Sequence, residues 1–166
     1  IGVIEPPNAL PESMPLKGSR MDPRIARLKT PQECERFAKN AEERNESELA
    51  TAAKKRAIEL RALEHGAESD AEREGLAAVY AVEEIATQRN GRKTKAARTW
   101  QSITRFGILE TVERVVSRAK VSDGYNDLVA LGLDEFTFEA VVIKYPDLFK
   151  PETVERAKER IDARRA

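Results

Sequence analysis

The sequence predicts an all-α protein of roughly six or seven helices, opening on a helical hairpin that follows an extended, proline-rich N-terminal arm. Three observations carry this. Charged residues make up 35% of the 166-residue chain and aromatic residues only 5%, a composition suited to helices with narrow apolar stripes and poorly suited to sheets. Beyond Thr30 the apolar residues recur at three- and four-residue spacings, the period of a helix face. Start and stop signals for helices punctuate those stretches in turn.

The arm covers residues 1–29. It holds Pro6, Pro7, Pro11, Pro15 and Pro23 with Gly2 and Gly18, and such a segment is extended rather than helical. Lys17, Arg20, Arg24 and Arg27 are placed where an arm could lie along a phosphate backbone. The chain opens on Ile1, so a piece of a longer protein is expected, or a leader ahead of Met21.

The first helix of the hairpin starts at Thr30, with Pro31 at the first helical position and Glu33 completing a Thr-x-x-Glu capping box. Cys34, Phe37, Ala38 and Ala41 share one face of it. Asn45 is expected to cap a second helix to about Glu64, with Leu49, Ala52, Ala53, Leu60 and Leu63 inward and Gly66 ending it. Phe37, Ala38, Ala50 and Ala57 place one large residue and several small ones where a tetratricopeptide repeat has them. Residues 31–65 thus resemble one such unit, which implies a hairpin suited to packing or to protein contact. No second copy follows at the repeat length, and solenoid repeats need several neighbours, so an array is not expected.

A third helix begins at Ser69 with Glu72 in the capping position, carries Leu76, Val79, Tyr80, Val82 and Ile85, and stops at Asn90–Gly91. A boundary is expected there, between a three-helix region (30–90) and a C-terminal helical module (91–166). Thr94 is expected to cap a basic helix ending at Gly107. Further helices are expected at 108–118, 125–131 and 134–145, and a last one from Pro151.

Charge is the second guide to function. The chain is neutral overall, yet residues 64–88 carry seven acids against Arg73 alone, and residues 89–120 carry nine cations against Glu110 and Glu113. The stretch Arg89–Arg105 holds Arg89, Arg92, Lys93, Lys95, Arg98 and Arg105 and no acid. Cations concentrated within a neutral protein point to an anionic partner, above all a nucleic acid, with double-stranded DNA expected. At 100° per residue Lys95, Arg98, Ser102 and Arg105 gather on one side with Gln101 beside them, while Ala96, Trp100 and Ile103 face the core. The candidate nucleic-acid-binding residues are therefore Arg89, Arg92, Lys93, Lys95, Arg98, Gln101, Ser102 and Arg105.

Thr94–Arg118, with Gly107 at the turn, invites comparison with a helix-turn-helix. Glu113 falls where the second helix of that motif wants an apolar residue, and Glu110 and Glu113 would repel phosphate. The first, basic helix is the one expected to make contact. The alternative function is a helical protein-interaction module using the alanine-rich hairpin and the acidic surface, residues 31–84.

No enzyme is expected. One histidine (His65) and one cysteine (Cys34) cannot form a His/Cys metal cluster, and Gly91-Arg92-Lys93-Thr94 lacks the spacing of a phosphate-cradling loop. His65 is expected to meet the last carbonyls of its helix, and Cys34 to be a small core residue. No cofactor and no membrane partner are expected. A single cysteine fits a reducing cytoplasm.

Overall fold

The computed structural model describes residues 21–166, so most of the proline-rich arm, Lys17 and Arg20 included, lies outside the described residues. Among the described residues there is no strand. Nine α-helices follow one another: α1 (Pro23–Ala26), α2 (Pro31–Glu43), α3 (Ser47–Glu64), α4 (Asp70–Asn90), α5 (Ala97–Phe106), α6 (Ile108–Val116), α7 (Asp123–Ala130), α8 (Phe138–Lys144) and α9 (Pro151–Arg165), with 3-10 turns at Asp134–Phe136 and Pro146–Leu148. The count exceeds the expected six or seven. One reason is that α1 forms inside the stretch expected to be extended, capped by Asp22, whose carboxylate accepts the Arg24 N–H at 2.8 Å. The expected helix at 134–145 is also shorter than anticipated, because the Thr137 hydroxyl accepts the Ala140 N–H at 3.1 Å and starts α8 afresh after the 3-10 turn.

The hairpin forms as its caps dictate. Thr30 Oγ1 accepts the Glu33 N–H at 3.2 Å, and Glu33 returns the bond to the Thr30 N–H at 3.3 Å. The α2–α3 connection departs from expectation. Asn45 does not cap α3; it sits at φ 59° and closes α2 instead. Its N–H reaches the Glu42 carbonyl at 3.0 Å and the Glu46 N–H reaches the Ala41 carbonyl at 2.9 Å, the paired bonds of a Schellman ending. Asparagine is among the few non-glycine residues that tolerate this left-handed backbone. Asn45→Val is expected to lower stability by about 1–2 kcal/mol while Asn45→Gly costs nothing, a contrast that urea unfolding of the two variants would read.

The inward face of α3 is also rotated from the expected one. Ala50, Ala53, Ala57, Ile58 and Ala62 are buried, whereas Leu63 is 50% exposed. Alanines at the contact let α2 and α3 approach closely, and the small residues that suggested a hairpin are the ones that build it. Cys34 is fully buried in this contact, and burial pushes its thiol above the ordinary value.

The main core is one apolar cluster running from Ile58 and Ala62 of α3 through Leu76, Val79 and Ile85 of α4 to Val112, Val116, Leu128, Val141, Val142 and Ala157. Helix α4 is the shared wall: α3, α6, α7 and α8 all pack on it. Gly75 permits the α6 contact, since a Cβ there would lie 2.8 Å from Ile108 Cγ1. A smaller cluster of Ile25, Ala38 and Ala53 pins α1 to the hairpin.

Candidate nucleic-acid interface

Helix α5 starts later than its sequence suggests, and for a tertiary reason. Thr94 does not cap it: the Thr94 N–H is donated to Thr87 Oγ1 at 2.9 Å and its hydroxyl to the Arg92 carbonyl at 2.9 Å. The carboxylate that holds the start of α5 comes from α4. Glu83 Oε1 accepts the Ala96 N–H at 2.9 Å and the Trp100 indole N–H at 2.5 Å. One carboxylate thus fixes both the origin of α5 and its rotation about its own axis. Trp100 lies half-buried against the core, as the helical spacing predicted.

This rotation sets which cations reach solvent. Arg92, Lys93, Lys95, Arg98, Gln101 and Arg105 are exposed. Among the described residues none of the five cations has an ion-pair partner; Arg105 instead lies 5.0 Å from the centre of the Phe106 ring, which Arg114 also covers at 3.7 Å. Arg98 and Arg105, seven residues apart, stand roughly 10 Å from each other along the axis. Two candidates are placed differently. Arg89, in the last turn of α4, pairs with Asp127 of α7 at 2.7 Å. Ser102 is half-buried and hydrogen-bonds Thr111 Oγ1 of α6 at 3.0 Å, so its hydroxyl ties two helices together.

Apart from Glu83, four acids of the acidic block are engaged away from α5. Glu84 pairs with Arg61 at 3.7 Å, and Asp70 with Arg73. Glu74 takes Lys144 at 2.5 Å and the Tyr145 hydroxyl at 2.9 Å, and Glu72 accepts the Glu68 N–H at 2.8 Å. Arg24, expected as a continuation of a basic strip, pairs with Asp22 at 3.0 Å and Glu46 at 4.0 Å.

Of the two acids on α6 expected to repel phosphate, one is ion-paired and the other is turned inward. Glu110 pairs with Arg114 at 3.0 Å. Glu113 is 8% exposed and turned inward, accepting the Lys150 N–H at 3.1 Å and the Thr153 hydroxyl. It serves the start of α9, across the core, a long-range role that no local pattern discloses.

Beside the cations lies an open groove of about 690 Å³ between the α3–α4 turn and α5. His65, Tyr80 and Trp100 line it, with Lys95, Gln101 and Arg105 at its edges. The His65 ring is not at the helix carbonyls; it packs on Trp100 at 5.1 Å between centres, and its Nδ1 is 3.4 Å from the Tyr80 hydroxyl. Tyr80 meets Trp100 at 5.3 Å. Periodicity finds each aromatic residue on its own helix, and no local pattern relates three residues on three different elements.

Among the described residues no three His, Cys, Asp or Glu side chains are placed to hold a metal ion, and no helix is long and apolar enough to cross a membrane. Comparison of the chain with protein-family models, with curated proteins and with solved structures finds no match.

Proposed function

We propose that this chain is a non-catalytic nucleic-acid-binding module whose contact surface is the loop and helix from Arg92 to Arg105, with DNA as the ligand. The observation that carries it is the exposed, acid-free set Arg92, Lys93, Lys95, Arg98 and Arg105, without ion-pair partners among the described residues. Cations at such a surface neutralise phosphates and release condensed counterions.

A local conflict supports the same reading. A helix N-terminus is electropositive and favours acids, and every other described helix longer than one turn has an acid in its first turn; α5 has none. Arg98 stands there instead, with Lys95 just ahead of the cap residue Ala96. Cations placed against the helix dipole do not serve the stability of α5, and a local choice that opposes the fold marks a functional site.

The test is fluorescence anisotropy of a labelled duplex across a salt series. Five phosphate contacts predict a slope of about −4.5 in log K against log salt, a loss of roughly 500-fold between 50 and 200 mM. Arg98→Ala/Arg105→Ala is expected to cut that loss to about 40-fold. A duplex that does not bind at 50 mM salt, or binds indifferently to both arginines, removes duplex DNA from consideration, and if single-stranded DNA fails as well a protein partner for residues 31–84 is left.

A further inference from the structure

The groove flanking the cations has a chemistry that a phosphate contact alone does not require. Phosphates need charge, and the outer face of α5 supplies it; the groove adds an aromatic wall of His65, Tyr80 and Trp100 contributed by the end of α3, by α4 and by α5. His65 is exposed and Tyr80 and Trp100 are half-buried, so the cluster is open to solvent. Lys95 and Arg105 border it. The carboxylate among its walls, Glu83, is occupied at Oε1 by the Ala96 and Trp100 N–H groups.

Aromatic surfaces beside a basic track are how proteins hold single strands: bases stack on the rings while the backbone follows the charge. Bases in a duplex are stacked on one another and offer no free face to a groove on the protein. We infer that the groove receives an unpaired base of a DNA single strand whose phosphates lie along Lys95, Arg98 and Arg105. The inference rests on the nucleic-acid reading above and sharpens it, giving a preference for single-stranded over duplex DNA. Gln101, on the rim, presents both a donor and an acceptor to a base edge.

Trp100 is the only tryptophan in the chain, so its emission reports on the groove directly. The experiment titrates the full chain with a 15-nucleotide oligothymidylate and with a 15-base-pair duplex at 50 mM salt, following Trp100 emission and the anisotropy of labelled DNA. The single strand is expected to quench Trp100 and to bind about tenfold more tightly than the duplex, and His65→Ala to weaken single-strand binding by about tenfold. His65 is exposed at the end of α3, so its removal leaves the core intact; Gln101→Glu, which places a negative charge on the rim, is expected to weaken the strand likewise. Duplex affinity equal to or above that of the strand, emission that the strand leaves unmoved, or indifference to both substitutions overturns the groove inference while the basic surface stands. Failure of both DNAs to bind removes the basic surface as well.

Discussion

Replacing Arg160 by alanine is expected to lower the stability of the fold by about 3–5 kcal/mol at pH 8, and by much less at pH 5. Arg160 reaches from α9 to Glu139 of α8 at 2.9 Å, and the two side chains are 8% and 2% exposed. The guanidinium also donates to the Arg118 carbonyl at 2.5 Å, and the Arg160 carbonyl accepts the Tyr125 hydroxyl at 3.2 Å. Burial pushes the Glu139 carboxyl above the usual carboxylate range, more than the arginine and a backbone bond draw it down. Its ionised form therefore costs stability in the fold: the penalty is absent below the unfolded value near 4.5 and sets in as pH rises through the folded value.

Without Arg160 the stranded carboxylate can escape only by taking a proton, which is easy at pH 5 and hard at pH 8. Urea unfolding at the two pH values measures the difference. Glu139→Gln in the Arg160→Ala background should recover most of the loss at pH 8, since no charge is left buried. Equal losses at both pH values would mean that the packing of the arginine stem, and not the charge, is what holds α8 to α9.

Lys95→Glu/Arg98→Glu/Arg105→Glu is expected to weaken duplex binding at 50 mM salt by about 10³ or more, because each lost phosphate contact removes roughly a tenfold factor at that salt and the new acids repel. The variant is informative because its fold should be sound. All three positions are exposed, and acids at 95 and 98 suit the start of α5 better than the cations they replace. Circular dichroism and thermal melting should match the parent chain while anisotropy shows the loss. Retained binding with a parental melt would place the DNA surface elsewhere.

What the sequence disclosed, and what it hid, divides along the range of the interactions. Thr30 with Glu33, Ser69 with Glu72, Gly91, Gly107 and Pro151 act on neighbours within a few residues, and the helices begin and end where they stand. Asn45 was legible as a boundary but ambiguous in role, since the same residue type starts helices and tolerates the left-handed turn that ends them. Thr94 does not cap α5 because a threonine before a helix competes with any acid the fold brings near, and Glu83, thirteen residues before Ala96, takes the Ala96 N–H instead. Glu113 and Ser102 bond across helices to Thr153 and Thr111. The cations of α5 could be found because charge density is a property of the string; the ring of His65, Tyr80 and Trp100 could not, because only the packing of α3, α4 and α5 brings it together.

The central position of α4 has a consequence for how the molecule loosens. Helix α2 packs chiefly on α3 and is joined to it by the Glu35–Arg61 and Glu42–Lys54 pairs, whereas α4 is walled in by four neighbours. Amide hydrogens of α2 can therefore exchange with solvent through a partial opening in which the hairpin's outer arm peels away and the rest stays folded. Those in the buried middle of α4 are expected to exchange only when the core comes apart. Tyr80 belongs to α4 and the start of α5 is tied to α4 through Glu83, so the groove keeps this anchor while α2 peels away.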